Sequence, residues 1–171
     1  MKTLLHKLNT ADRVIVASTI VLIVSPWLNW FKATYPGGLL GGSSTVNGWD
    51  VSDRTFWVTI PFLLALASLA VVLIRAFARR VELPQLPIGY GQAIFFAGVA
   101  SAGLVLMKVL VGESVRAIVI GTTVVTGIDV SRQYGIFVAL LAAIGFAAGG
   151  YMKWKDERSG YETGASSPTP F

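Results

Sequence analysis

Residues 55–78 read TFWVTIPFLLALASLAVVLIRAFA, an apolar run in which Arg75 is the one charged residue. A helix needs roughly 20 mostly apolar residues to cross a hydrocarbon core about 30 Å thick, and this run is long enough. The whole chain agrees, because 54% of its 171 residues are hydrophobic and 13% are charged, whereas a soluble domain carries about 25% charged residues. The run is therefore predicted to be a membrane-spanning helix.

Three further runs have the same character, at residues 14–31, 88–111 and 134–152. The first of them is long and has no A-x-A cleavage site, which favours a span over a secretory signal. The chain is thus predicted to be an all-α membrane protein. Its four-helix transmembrane domain covers residues 1–158, and residues 159–171 form a polar cytoplasmic tail.

The basic residues predict the orientation of the spans, because cytoplasmic loops carry an excess of Lys and Arg. Nine fall on the side of the two termini: Lys2, Lys7, Arg13, Arg75, Arg79, Arg80, Lys153, Lys155 and Arg158. Four fall on the other side: Lys32, Arg54, Arg116 and Arg132. Both termini are therefore expected in the cytoplasm. The basic residues are attributed to contact with the lipid bilayer and not to nucleic-acid binding.

Two connections that face outward carry nearly the same sequence, GSSTVNGWDVS at 42–52 and GTTVVTGIDVS at 121–131. A shift of 79 residues aligns them with six identities in eleven. The same shift places the first span on the third and the second on the fourth. The chain is therefore predicted to contain two duplicated helical hairpins, arranged as parallel repeats.

The repeated stretch contains Asp50 and Asp129 at matching positions. Each carboxylate is predicted to accept hydrogen bonds from free N–H groups at the start of the next helix, and a binding role for the pair is the alternative. The Ser/Thr/Val residues before Asp50 suit a strand, as does the segment Arg116–Thr126. These two segments could pair into a small extracytoplasmic β-sheet.

Lys108 is the one charge inside the third span, and an ionisable residue at that depth is a candidate functional group. It could instead snorkel to the interface or pair with Glu113, Asp50 or Asp129. Four tryptophans near the outward ends, Trp27, Trp30, Trp49 and Trp57, suit an interfacial aromatic belt. Trp49 is also a candidate for an exposed docking surface.

Small residues recur at four-residue spacing in the fourth span, where Gly145 and Gly149 form a GxxxG motif. Such stripes let helices approach closely in lipid. A second stripe runs along Gly135, Ala139, Ala143 and Ala147. The GxxxG pair is therefore predicted to contact a second copy of the chain or another membrane subunit.

The sequence contains no Ser–His–Asp set, HExxH motif or phosphate-binding loop. It has one histidine, His6, and no cysteine. The chain is therefore expected to have no catalytic residues, cofactor or metal.

A resemblance rests on Pro26–Trp27, Gly48–Asp50, Arg79–Arg80 with Leu83–Pro84, and a closing stretch from Tyr134 to Lys155–Glu157. With these features the chain resembles small four-helix membrane proteins common in actinobacteria, which implies a bacterial cytoplasmic membrane and no particular activity. The outline is also similar to claudin-like tetraspans, although their cysteine pair is missing here. The expected function is that of a structural, assembly or accessory subunit of a membrane complex. A small oligomeric channel or transporter using Lys108 is the alternative, and a membrane enzyme is the third.

Overall fold

A computed structural model describes residues 8–35, 42–51, 53–77, 89–113, 118–120, 123–125 and 128–165. It contains four long helices: α1 (Thr10–Val24), α2 (Ile60–Phe77), α3 (Tyr90–Val111) and α4 (Tyr134–Ala165). With their adjoining turns, all four are long and apolar enough to cross a membrane by length and composition. This confirms the prediction of four candidate spans.

The helices form an antiparallel bundle, in which each helix packs against the next and α4 closes on α1. At one end, Asn9 before α1 donates a hydrogen bond to Asp156 of α4 (3.1 Å), and Arg75 near the end of α2 pairs with Glu157 of α4 (3.3 Å). This end, where α1 begins and residues 156–157 lie, is called the termini end. The opposite end is called the sheet end.

The first helix is shorter than the predicted span of 14–31. After α1, the chain forms a 3-10 turn at Ser25–Trp27 and enters strand β1 at Asn29–Tyr35. Pro26 fits the first turn of a new helix but cannot continue an old one, because it has no N–H group. The sequence predicts that Trp30 and Phe31 belong to the span, because they are apolar. Both are fully buried in the protein core instead.

The sheet end carries a three-stranded antiparallel sheet in the order β2-β1-β5, with β2 at Gly42–Asn47 and β5 at Asp129–Arg132. Tyr35 pairs with Gly42 on one side of β1, and Thr34 pairs with Asp129 on the other. Strands β3 (Ile118–Ile120) and β4 (Thr123–Val125) form a separate hairpin. The small sheet is confirmed, but the predicted pairing of β2 with the 116–126 segment is wrong. Both edge strands pair with β1, which lies where a helix was expected.

The two sequence repeats differ in local structure. The shift of 79 residues places β1 on the end of α3, so a strand corresponds to a helical turn. The duplicated arrangement of helical hairpins therefore stays a prediction, and the connections do not follow it. Helix α4 also continues to Ala165, into the segment predicted as the tail.

Candidate functional site

Lys108 lies in the last turn of α3 and is 2% exposed. Its Nζ atom is 2.6 Å from Oε2 of Glu113, whose side chain is also largely buried. A buried charge is costly unless it is paired and hydrogen-bonded. Of the roles considered for Lys108, pairing with Glu113 is therefore the one that the structure shows.

Two aromatic rings flank the Lys108 ammonium. Its Nζ atom lies 5.7 Å from the ring centroid of Phe31 in β1 and 5.8 Å from that of Trp57. A cation within about 6 Å of an aromatic face is attracted by the ring quadrupole. The ion pair is thus enclosed by residues from α3, the first strand and the start of the second span.

Trp57 reaches Lys108 from a π-helical turn at Thr55–Thr59, immediately before α2. Ile60 donates its backbone N–H to the carbonyl of Thr55, five residues earlier. Pro61 has no N–H with which to continue a regular α-helical ladder through this turn, and single π turns occur often at functional sites. Just before the turn, Asp53 has a positive φ of 54°.

Two further residues, Gly112 and Arg132, donate hydrogen bonds to carbonyl groups at the carboxyl end of α3. Gly112, with a φ of 75°, donates its N–H to the carbonyl of Lys108 (2.9 Å). Arg132 of β5 donates through Nε to the carbonyl of Val109 (2.6 Å) and through a terminal nitrogen to that of Leu110 (3.2 Å). A cation at a helix C-terminus is stabilised by the free carbonyl groups and by the helix dipole. Sequence reasoning missed Arg132, which it counted only as a basic loop residue.

The predicted helix-capping role is wrong for both aspartates. Asp50 is exposed in a 3-10 turn at Gly48–Asp50, where Oδ1 of Asn47 accepts hydrogen bonds from the N–H groups of Trp49 and Asp50. The helix that follows begins after Arg54 without a side-chain cap. Asp129 is exposed in β5 opposite Thr34. Both residues lie several positions before the next helix, because strand pairing and the 3-10 turn separate them from it.

Trp49 packs in an aromatic cluster with Trp27 and Phe62, with centroid distances of 5.4 Å to each ring. Trp27 is 60% exposed, as expected for an interfacial residue. The Trp49 indole N–H is buried and has no acceptor among the described residues. Trp30 departs from the predicted belt, because it is buried and its indole N–H donates to the carbonyl of Ser25 (2.8 Å).

The predicted intermolecular role of Gly145 and Gly149 is contradicted by their place in the bundle. A Cβ atom at Gly145 would lie 2.5 Å from Oγ of Ser18, and one at Gly149 would lie 2.8 Å from Cγ1 of Ile15. Both partners belong to α1 of the same chain. The GxxxG motif thus brings α4 close to α1, which is the commoner use of such motifs within a bundle.

The part of the chain that the structure describes contains no group of three or more His, Asp or Glu residues that could hold a metal ion. Its most enclosed ionisable cluster joins Lys108, Glu113 and two aromatic rings. Such a cluster can hold α3 against the sheet. No protein-family model matches the chain, and no curated protein matches it in sequence.

Proposed function

We propose that this chain is a non-enzymatic, multi-pass membrane protein that acts as a structural, assembly or accessory subunit of a membrane complex. The burial of Lys108 supports this proposal most strongly. The charged residue of the third span is bonded to Glu113 and enclosed by Phe31 and Trp57. This placement favours a fastening role over the channel or transporter alternative, in which the ammonium would face an aqueous path.

The sheet end supplies the surface on which such a subunit would engage its partner. Strand β2 is an edge of the sheet, and its first four residues, Gly42–Thr45, are exposed. Edge strands expose backbone groups that can pair with another chain, and proteins often protect them with charged residues or Pro. Strand β2 carries neither, whereas β5 contains Asp129 and Arg132. The proposed partner is another membrane protein or a second copy that contributes an extended segment.

The proposal includes the setting of the protein: a bacterial cytoplasmic membrane, with both termini in the cytoplasm and the sheet end outside. The basic residues on the side of the termini support this orientation. The resemblance to small actinobacterial four-helix membrane proteins supports the proposal of a bacterial cytoplasmic membrane.

Site-specific photocrosslinking in native membranes tests the accessory role. A photoreactive residue replaces Ser44 in β2 or, as the matched control, Leu141, which is 70% exposed on the apolar part of α4. We expect one defined protein partner or a second copy at position 44 and lipid at position 141. The mass of the uncrosslinked complex in nanodiscs identifies the copy number. A monomer that captures no protein at position 44 and conducts ions in liposomes would favour the channel instead.

A further inference from the structure

An open cavity lined by both polar and apolar groups lies at the termini end, between the start of α3 and the distal part of α4. Its volume is about 390 Å³, and Gly89, Gln92, Trp154, Glu157 and Arg158 line it. Small-molecule sites commonly measure about 300–1,000 Å³. The size is therefore sufficient for a small polar group.

Arg158 is the cationic residue among the described residues that line this cavity. Its guanidinium lies 5.5 Å from the ring centroid of Trp154, and it forms no ion pair with any described residue. A cation at this distance from an aromatic face is attracted by the ring, and this attraction leaves the N–H donors of the guanidinium available. A planar guanidinium can bind a phosphate through two parallel hydrogen bonds. Gln92 also lines the cavity, and its side-chain amide has N–H groups that can donate.

Glu157 also lines the cavity, but its negative charge is already offset. One oxygen accepts a hydrogen bond from Arg75 (3.3 Å), and the other accepts from the backbone N–H of Gly91 (2.9 Å). The carboxylate thereby occupies the amino end of α3. Arg158 keeps its capacity to bind an anion, because Glu157 is held by these partners.

The position of the cavity along α4 indicates that the anion belongs to a lipid headgroup. Trp154 follows Tyr134 by twenty residues, which corresponds to about 30 Å along an α-helix and to the thickness of the hydrocarbon core. Tyr134 and Tyr151 are exposed, and Trp154 packs against Tyr151 and Phe95. Aromatic residues at both ends of a span mark the level of the lipid headgroups.

We infer that the cavity between α3 and α4 binds the phosphate of an anionic phospholipid, with Arg158 as the principal ligand and Gln92 as a second donor. The acyl chains extend along the exposed apolar surface of the two helices. This site is independent of the accessory role proposed above, because it lies at the opposite end of the bundle from β2.

Native mass spectrometry of the full-length protein in detergent tests the site, with phosphatidylglycerol as the probe. Phosphatidylcholine with the same acyl chains and inorganic phosphate are the comparison ligands. The test variant is Arg158→Gln. The control is Lys155→Gln, which removes an exposed cation that does not line the cavity. Thermal unfolding should be the same for both variants.

We expect phosphatidylglycerol to bind more tightly than phosphatidylcholine, and Arg158→Gln to weaken its binding about fivefold, as expected for one basic group near a lipid surface. Lys155→Gln should change it much less, because Lys155 does not line the cavity. Equal losses in the two variants, or equal binding of the two lipids, would overturn the assignment. Displacement of the lipid by millimolar inorganic phosphate would also overturn it, in favour of a soluble phosphate ligand.

Discussion

Lys108 shows at the residue scale how a bundle of apolar helices retains a charge in its interior. The ammonium gains a carboxylate at 2.6 Å and two aromatic faces. The pair need not add net stability, because desolvation of two ions opposes their attraction. Its specific effect is to fix where the chain turns after α3. Removal of one partner alone leaves the other charge buried.

The first prediction follows from this asymmetry. Lys108→Met should lower the free energy of unfolding by about 3–5 kcal/mol, as observed when one partner of a buried pair is removed. The double variant Lys108→Met/Glu113→Gln should recover part of that loss, because it also removes the buried carboxylate charge that Lys108 compensates. Reversible unfolding in mixed micelles measures the free energy of unfolding of the wild type, the two single variants and the double variant. Unchanged stability in Lys108→Met would contradict the fastening role.

At the element scale, glycines determine how closely α3 and α4 approach. A Cβ atom at Gly98 would lie 2.5 Å from the Cα atom of Ala147, and one at Gly91 would lie 2.6 Å from the backbone nitrogen of Trp154. From the other helix, a Cβ atom at Gly150 would lie 2.6 Å from the backbone nitrogen of Phe95. Backbone atoms cannot move aside as side chains do, so a methyl group must separate the helices. The association of helices in lipid relies on this close packing.

The second prediction compares two glycines of α3. Gly98→Ala should destabilise the bundle by about 1–3 kcal/mol, the usual cost of overpacking a close contact. Gly103→Ala is the matched control, because nothing lies within 4 Å of a Cβ atom there. It should be neutral or stabilising by up to about 1 kcal/mol, since Ala is the better helix former. Similar effects of the two substitutions in thermal unfolding would show that α3 and α4 pack differently.

The third prediction concerns the amino end of α3, which receives its cap from another helix. Glu157→Ala removes the acceptor for the N–H of Gly91 and the partner of Arg75. We expect a loss of about 0.5–2 kcal/mol, typical of a lost N-cap, and faster hydrogen exchange confined to the first turn of α3. Lys155→Ala serves as the control on the same helix. Unchanged exchange at residues 90–93 in Glu157→Ala would contradict the capping role.

At the scale of the whole molecule, the bundle places the start of α1 and the distal part of α4 at one end and the three-stranded sheet at the other. An even number of antiparallel helices requires this arrangement. Ion pairs join α4 to two other helices at the termini end: Lys153 with Asp12 of α1, and Glu157 with Arg75 of α2. The two ends therefore differ in chemistry, which permits a simple test of how the bundle is oriented in the membrane.

The fourth prediction is that Ser43 lies outside the cell and Lys155 inside. The natural chain has no cysteine, and both residues are exposed, so Ser43→Cys and Lys155→Cys each introduce one accessible thiol. A membrane-impermeant maleimide should label position 43 in intact cells, and position 155 only after permeabilisation. The reverse pattern would invert the orientation. Labelling of both positions in intact cells would contradict the four-span topology.

The four candidate spans were predictable from sequence, because a long apolar run is a local property. Its length can be compared directly with the thickness of a bilayer. The sequence did not predict which apolar residues are buried in the protein core and which are exposed. Trp27 is exposed while Trp30 and Phe31 are buried, although all three lie within one apolar run. The GxxxG motif indicated close packing, but the tertiary structure decided that its partner is α1 of the same chain. Lys108 likewise had three possible carboxylate partners, and the turn at Gly112 brought Glu113 to it. Hydropathy does not show whether an apolar side chain faces lipid or the protein interior, because both surroundings are apolar. Only the three-dimensional arrangement of the helices shows this.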